Sequence, residues 1–231
     1  MATPAIDRDK LRVFVRQLDD ADLLLLLDRA IDLLPKTKLP KLIKGYTRPA
    51  DLRPDQNTTA GLLGAVRRFH RESLKGKYYE DFNVNSKNYR EKSRGTQTWI
   101  AECHRLLDLC VAASEAGEFG ETRTAFELIF NLLYEMNTCR IDLIFFADEH
   151  GAWQVGVHWR EVMPAWFRCL AASAAPDEYA ELVHGMISYH AHWETKHLMP
   201  AALTIANADQ AEALGAMRPP SKSYSQPTFS P

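Results

Sequence analysis

The sequence has no long apolar run. It contains no stretch of 18 or more apolar residues, and its densest apolar segment, residues 23–27, lies between Asp22 and Asp28. A helix needs about 20 predominantly apolar residues to cross a bilayer. Residues 1–7 also lack a basic region followed by an apolar run, which is the pattern of a secretory signal. We therefore expect neither a membrane span nor a secretory signal.

The short motifs of common enzyme sites are also missing. The sequence has no G-x-x-x-x-G-K-[ST] loop, no G-x-G-x-x-G loop and no G-x-S-x-G elbow. These motifs bind nucleotide phosphates, bind dinucleotides and present a nucleophilic serine, respectively. We therefore predict no cofactor, and an enzyme is the less favoured class of protein.

Cysteine is scarce and shows no C-x-x-C spacing. Cys103, Cys110, Cys139 and Cys169 each lie within an apolar helical pattern rather than in a framework of loops. This placement is typical of buried free thiols in a reducing compartment. The expected location of the protein is therefore the cytoplasm.

Helical periodicity dominates the remainder of the chain. Of its 231 residues, 46% are hydrophobic and 25% are charged, as in an ordinary globular protein. Apolar residues recur at i, i+3, i+4 and i+7, which indicates amphipathic helices. The predicted helices cover roughly residues 9–18, 21–34, 59–75, 98–116, 121–136, 159–170, 177–187 and 200–214. The predicted fold class is all-α, built of stacked antiparallel helical hairpins.

Composition divides the chain into four predicted parts. Residues 1–34 form an N-terminal helical hairpin, and residues 35–57 form a basic, proline-rich connector with a short helical turn near 39–43. The main helical domain covers residues 58–217. Residues 218–231 are rich in proline and serine, so we expect a disordered tail there.

One segment departs from the helical pattern. Within residues 141–157, two apolar arms at 143–147 and 152–157 flank the sequence Asp148-Glu149-His150-Gly151, which is typical of a turn. We expect a small β-hairpin or a loop insertion here rather than a continuing helix, with the hairpin slightly favoured.

The helices on either side of Gly117 resemble a single tetratricopeptide unit, over about residues 103–137. Thr122 departs from the small residue usual in the second helix, and no second copy follows about 34 residues away in either direction. The resemblance implies helical hairpins that bind a protein partner on a concave face. The residues in register with the repeat are Leu106, Leu109, Cys110, Ala113, Gly117, Phe119 and Phe126.

A group of histidines and glutamates lies between residues 181 and 197. It contains two E-x-x-H units, Glu181/His184 and Glu194/His197, with His190 and His192 between them. Such units hold metal in helical di-iron proteins. At 100° per residue, however, Glu181 and His184 lie nearly opposite the apolar stripe of their helix. We therefore expect a solvated polar loop and no metal, and a metal-dependent enzyme is the second alternative function.

Charge is distributed unevenly along the chain. Residues 1–100 contain 20 Lys and Arg against 13 Asp and Glu, and residues 36–94 contain 15 against six, interleaved with aromatics. Cations and aromatic rings together are typical of a single-strand nucleic-acid binder. The acidic remainder of the chain offers another explanation, because it can neutralise this region within the fold or across a homo-oligomer. The candidate cationic contacts are Lys41, Lys44, Arg67, Arg68, Arg71, Lys75, Arg90 and Arg94, and the candidate aromatic contacts are Tyr78, Tyr79 and Tyr89.

The clear amphipathic helical pattern, together with the absence of a catalytic motif, favours a non-enzymatic interaction or regulatory protein. We expect it to bind a protein partner through a helical surface, and the hairpin at residues 98–140 is the predicted contact. The first alternative is a nucleic-acid-binding protein that uses residues 36–94.

Overall fold

The computed structural model describes residues 6–35, 38–46, 59–147, 151–219 and 222. Every regular element in these residues is a helix, which confirms the all-α fold class. The chain divides into two compact units, Met1–Gln56 and Asn57–Pro231. In the described residues, no helix is long and apolar enough to cross a membrane.

The first unit contains α1 (Arg8–Val15), α2 (Asp20–Leu33) and the single turn α3 (Leu39–Leu42). The Asp7 carboxylate begins α1 by accepting hydrogen bonds from the backbone N–H groups of Asp9 and Lys10. Every residue of α1 is at least partly exposed. Most of the proline-rich connector, residues 36–37 and 47–57, lies outside the described residues.

The second unit contains seven helices in the described residues. Helix α6 lies at the centre and packs against α4, α5 and α7, while α8 packs against α10 and α9 packs against α7. Helices α5 and α6 form a hairpin whose turn contains Gly117 at φ +84°, a left-handed conformation that favours glycine. The seven are α4 (Thr59–Leu74), α5 (Arg94–Glu115), α6 (Phe119–Thr138), α7 (Trp159–Ala171), α8 (Pro176–His190), α9 (Thr195–Ile205) and α10 (Ala208–Ala216).

Large aromatic side chains fill the core of this unit. Trp99, Phe126, Phe130, Trp166 and Tyr179 are all fully buried. Burying one such side chain contributes about 1.5–3 kcal/mol to folding. The Trp99 indole N–H donates to the Ser73 hydroxyl at 2.8 Å, and the Tyr179 hydroxyl donates to a backbone carbonyl of α9 at 2.8 Å, so these two polar groups are paired.

The predicted β-hairpin near residues 141–157 is wrong, and this segment is a loop insertion. Phe146 forms a single antiparallel bridge with Lys92 instead of pairing with the other arm. The second arm contains a 3₁₀ turn, Ala152–Val155, which ends at Gly156 with φ +73°. Contacts with the start of α5 hold the first arm, since the Thr96 hydroxyl donates to the Phe145 carbonyl at 2.7 Å. The predicted turn residues 148–150 lie outside the described residues.

The predicted single helix over residues 200–214 is two helices, α9 and α10. Asn207 separates them because its side chain accepts from the Gln210 backbone N–H, while the Gln210 side chain accepts from the Asn207 backbone N–H. This reciprocal capping box begins a new helix at Ala208. Of the predicted tail, only 218, 219 and 222 are described.

Candidate functional site

A cleft of about 1030 Å³ opens in the second unit. It lies where the C-terminal ends of α6 and α8 meet the 3₁₀ turn at Ala152–Val155, the start of α7 and a second 3₁₀ turn at His192–Glu194. Its volume is in the range of ligand pockets. It is lined by Asn137, Thr138, Ala152, Trp153, Gly156, Val157, His158, Trp159, Arg160, Glu161, Tyr189, His190, His192, Trp193, Glu194 and Lys222.

Two tryptophans lie at the rim of this cleft. Trp153 is 65% exposed on the first 3₁₀ turn, and Trp193 is 58% exposed on the second. Tryptophan is large and usually well buried, so two such exposed rings at one cleft are informative. Trp166, two turns into α7, shows the opposite behaviour and is fully buried in the core.

His190 lies at the floor of the cleft and is only 5% exposed. Its ring centroid is 4.6 Å from that of Tyr189, 5.2 Å from that of Trp159 and 6.1 Å from that of Phe130. Desolvation by these apolar surroundings lowers the pKa of His190 to about 3, so the imidazole is neutral at pH 7. Among the described residues, no group forms a hydrogen bond with its Nε2 atom.

Polar contacts hold the walls of the cleft in place. The Arg160 guanidinium donates to the Glu194 carboxylate at 2.7 Å and so links the start of α7 to the second 3₁₀ turn. The Asn137 side chain accepts from the backbone N–H of Ala152 at 2.8 Å and links α6 to the first 3₁₀ turn. The His192 Nδ1 atom is buried and, like the Nε2 atom of His190, has no partner in the described part of the chain.

The structure separates the predicted histidine and glutamate cluster. His190, His192 and Glu194 line the cleft, whereas Glu181 and His197 are exposed and are not among its lining residues. The predicted solvated loop is wrong for His190, which is the last residue of α8 and is buried. Over the described residues, no three His, Cys, Asp or Glu side chains come together as a group that could hold a metal ion.

A sequence signal for His190 was present. Tyr179, Val183, Met186 and His190 follow each other at i, i+4, i+7 and i+11, which places His190 on the buried stripe of α8. The exposed tryptophans have no comparable signal, because both lie on short 3₁₀ turns whose orientation depends on the surrounding helices.

Part of the predicted cationic site forms a single face on α4. Arg67, Arg68, Arg71 and Lys75 are all exposed and lie within about 100° of one another around the helix. Within the described residues, no carboxylate lies at ion-pair distance from any of the four. The opposite side of α4 packs on α6, where the His70 Nε2 atom lies 2.9 Å from the Asn131 side-chain oxygen. We refer to these four residues as the basic face of α4.

The other predicted cationic contacts lie elsewhere. Lys41 and Lys44 are exposed in the first unit, at and just after α3. Arg90 covers the ring of Tyr89, with its guanidinium carbon 5.1 Å from the ring centroid. Arg94 is exposed at the first residue of α5. The structure therefore brings four of the eight predicted cations together, three on α4 and Lys75 at the residue that follows it.

The predicted aromatic contacts are engaged to different degrees. Tyr78 packs edge-on against the buried Phe69 at 5.7 Å, and desolvation raises the pKa of its hydroxyl. Tyr79 meets Phe145 edge-on at 6.0 Å and remains 38% exposed. Tyr89 has its ring covered by Arg90. Only Tyr79 and Tyr89 therefore retain substantial exposed surface.

The predicted partner-binding hairpin at residues 98–140 is largely a core element. Its second helix, α6, buries eight side chains, and α5 also buries eight. These helices contact each other, α4 and α7, so much of their surface is covered within the unit. Among the described large hydrophobic side chains of the second unit, the most exposed are Trp153 and Trp193 at the cleft.

Comparison with known proteins yields no match: no family model matches the chain, no curated protein matches its sequence and no solved structure matches its fold. The function therefore has to be argued from the geometry of the second unit.

Proposed function

We propose that this chain is a non-catalytic binding protein of the cytoplasm, and that its tryptophan-rimmed cleft holds a segment of a partner protein. The observation that carries the proposal is the exposure of Trp153 and Trp193, at 65% and 58%, on the rim of one cleft. Tryptophan is enriched among the few residues that dominate binding energy at protein interfaces. Leaving two such rings in water costs free energy that a partner recovers when it covers them.

The construction of the cleft supports this proposal. Contacts between residues distant in sequence, Arg160 with Glu194 and Asn137 with Ala152, hold the two 3₁₀ turns that carry the tryptophans. A site held in this way loses little conformational entropy on binding.

Peptide display with matched variants tests the proposal. Random peptides are selected on the intact wild-type chain, and the affinities of the enriched peptides are then measured on Trp153→Ala and Trp193→Ala. Truncating an interface tryptophan that dominates binding costs about 2 kcal/mol or more, so we expect each variant to bind about 30-fold more weakly.

The matched control is Leu203→Ala, which removes an exposed apolar side chain from α9, away from the residues that line the cleft. This variant should bind the selected peptides as the wild type does. Peptides that bind both tryptophan variants with wild-type affinity would contradict the proposal.

The basic face of α4 supports a second candidate function, nucleic-acid binding. Four exposed cations on one helical face, with no carboxylate of the described residues at ion-pair distance, suit a row of phosphates. Elsewhere in the region 36–94, the exposed surface of Tyr79 and Tyr89 offers rings for stacking.

Fluorescence anisotropy with labelled single-stranded RNA, single-stranded DNA and duplex DNA tests this second candidate. Arg67→Glu with Arg71→Glu should weaken binding and lower the slope of log affinity against log salt by about one unit for each lost phosphate contact. The control, Arg140→Glu with Arg218→Glu, makes the same change in net charge at exposed positions outside α4. Equal losses in both double variants, or no binding at low salt, would reject this candidate.

A further inference from the structure

The chain returns to the cleft after its last helix. Helix α10 ends at Ala216, Met217 packs against the core of the second unit, and Lys222 lies among the residues that line the cleft. The lining also contains the carboxylates of Glu161 and Glu194, whose charge suits a cationic residue at this place. The residues that follow Lys222 in the sequence therefore start at the cleft.

These residues, 223–231, have a composition that suits an aromatic surface. Their sequence is Ser-Tyr-Ser-Gln-Pro-Thr-Phe-Ser-Pro, which contains two aromatic rings, two prolines and no charged side chain. Segments with proline dock in grooves lined by aromatic side chains, because their backbone is already restricted and loses little entropy on binding. The cleft is a site of this kind, since Trp153 and Trp193 are exposed at its rim.

The length of the chain places both aromatic residues within reach of the cleft. An extended chain spans at most about 3.6 Å per residue, so Tyr224 is no more than about 7 Å from Lys222 and Phe229 no more than about 25 Å. An occupant tethered this closely has an effective concentration of about 1 mM at any concentration of the protein. A contact too weak to form between separate molecules is therefore well populated within one chain.

We propose that residues 223–231 bind in the cleft of their own chain and compete there with the partner segment. Tyr224 and Phe229 are the side chains that contact the two rim tryptophans. Because the described residues leave both tryptophans in water, covering them stabilises the occupied cleft. This inference rests on the proposed function and adds its regulation, since a partner has to displace the segment in order to bind.

The size of the effect follows from the effective concentration. A segment that binds with a Kd of about 0.1 mM, at an effective concentration of about 1 mM, leaves the cleft free for about one-tenth of the time. The apparent Kd of a partner is then raised about 10-fold relative to that of an open cleft.

Acrylamide quenching of tryptophan fluorescence tests the inference on the intact chain without a partner. In the double variant Tyr224→Ser with Phe229→Ser, quenching should be stronger than in the wild type, because the rim tryptophans lose their cover. The matched control is Tyr46→Ser, which removes a side chain that is 90% exposed in the first unit, and it should be quenched as the wild type is. Adding Trp153→Phe and Trp193→Phe to both chains should abolish the difference.

The peptides selected by display provide the second measurement. They should bind the double variant about 10-fold more tightly than the wild type, and Tyr46→Ser with wild-type affinity. If these peptides depend on Trp153 and Trp193 but bind the double variant no more tightly, the inference fails and the proposed function stands. If quenching rises as expected but no peptide depends on the tryptophans, the proposed function fails and the contact with the segment stands.

Two results would overturn the inference directly. One is equal quenching of the wild type and the double variant. The other is quenching of the wild type that increases on dilution, because the occupant would then be the same segment of a second copy of the chain.

Discussion

His190 is a polar side chain kept in an apolar environment, and this placement lowers the stability of the fold. Its immediate neighbours are the uncharged rings of Tyr189, Trp159 and Phe130, and the charged side chains of the cleft lining are those of Arg160, Glu161, Glu194 and Lys222. A buried polar atom without a hydrogen bond costs about 1–3 kcal/mol. At the residue scale, His190 is therefore a destabilising feature of the floor of the cleft.

The low pKa of His190, about 3 in the folded chain, predicts a specific dependence of stability on pH. In the unfolded chain a histidine titrates near pH 6.5, so below that pH the unfolded state binds a proton that the folded state excludes. The free energy of unfolding should therefore fall as the pH falls from 6.5 towards 3, by up to about 1.4 kcal/mol per pH unit from this residue. Urea denaturation at several pH values measures it.

Comparison with His190→Leu isolates this contribution from that of the carboxylates. The variant should be at least as stable as the wild type near pH 7, because it removes an unpaired polar atom, and it should lose less stability on acidification. His184→Leu, which removes a half-buried histidine of α8 outside the cleft, is the control and should keep the steeper loss of stability of the wild type. Parallel pH profiles for the wild type and His190→Leu would show that His190 is solvated in the folded chain.

At the scale of elements, helix ends determine the shape of the second unit. Helix α5 ends before Gly117, whose φ of +84° allows the tight turn into α6. Helix α6 ends at Cys139, the non-glycine residue with a left-handed backbone, φ +52°, in the described part of the chain. This conformation costs a residue with a β-carbon about 1–2 kcal/mol. The end of α6 is therefore a strained position next to the cleft residue Asn137.

Replacing Cys139 with glycine should stabilise the chain. Glycine relieves the left-handed strain but loses more entropy on folding, so the expected net gain is about 0.5–1 kcal/mol. Thermal or urea denaturation measures it. Cys139→Ala is the control, because it removes the same thiol but keeps the β-carbon, and it should give no gain. An equal gain from alanine would attribute the effect to the thiol and not to the backbone.

The positions of most helices could be predicted from the sequence because helical periodicity is a local property. Helix α2 and helix α8 begin or end within a few residues of the predicted bounds. The segment between α6 and α7 could not be predicted, because Phe146 pairs with Lys92, more than 50 residues away, in place of its neighbour along the chain. Alternating apolar residues indicate a strand only when another strand lies within reach.

At the scale of the whole molecule, the charge asymmetry remains the broadest feature of this protein. The first 100 residues have a surplus of Lys and Arg, and the remaining residues have a surplus of Asp and Glu. Part of the positive charge lies on the basic face of α4, and part lies in the first unit with Lys41 and Lys44. Charge of this kind influences which partners approach and how fast, and has little effect on the fold itself. It therefore remains compatible with both proposed functions.

The sequence by itself determined the all-α class, the burial of Cys103, Cys110 and Cys169 and the common face of the basic residues on α4, since each follows from the period of one helix. The predicted burial of Cys139 is wrong, because this residue follows the last turn of α6 and is exposed. Only the tertiary structure decided where the cleft lies. Its walls come from residues 137–138, 152–153, 156–161, 189–190, 192–194 and 222, and the packing of α6 against α7 and of α7 against α8 brings most of these segments together. Long-range packing also decided that the Nε2 atom of His190 has no partner among the described residues. It likewise left Trp153 and Trp193 facing water, because no local pattern specifies which side of a short turn will be covered.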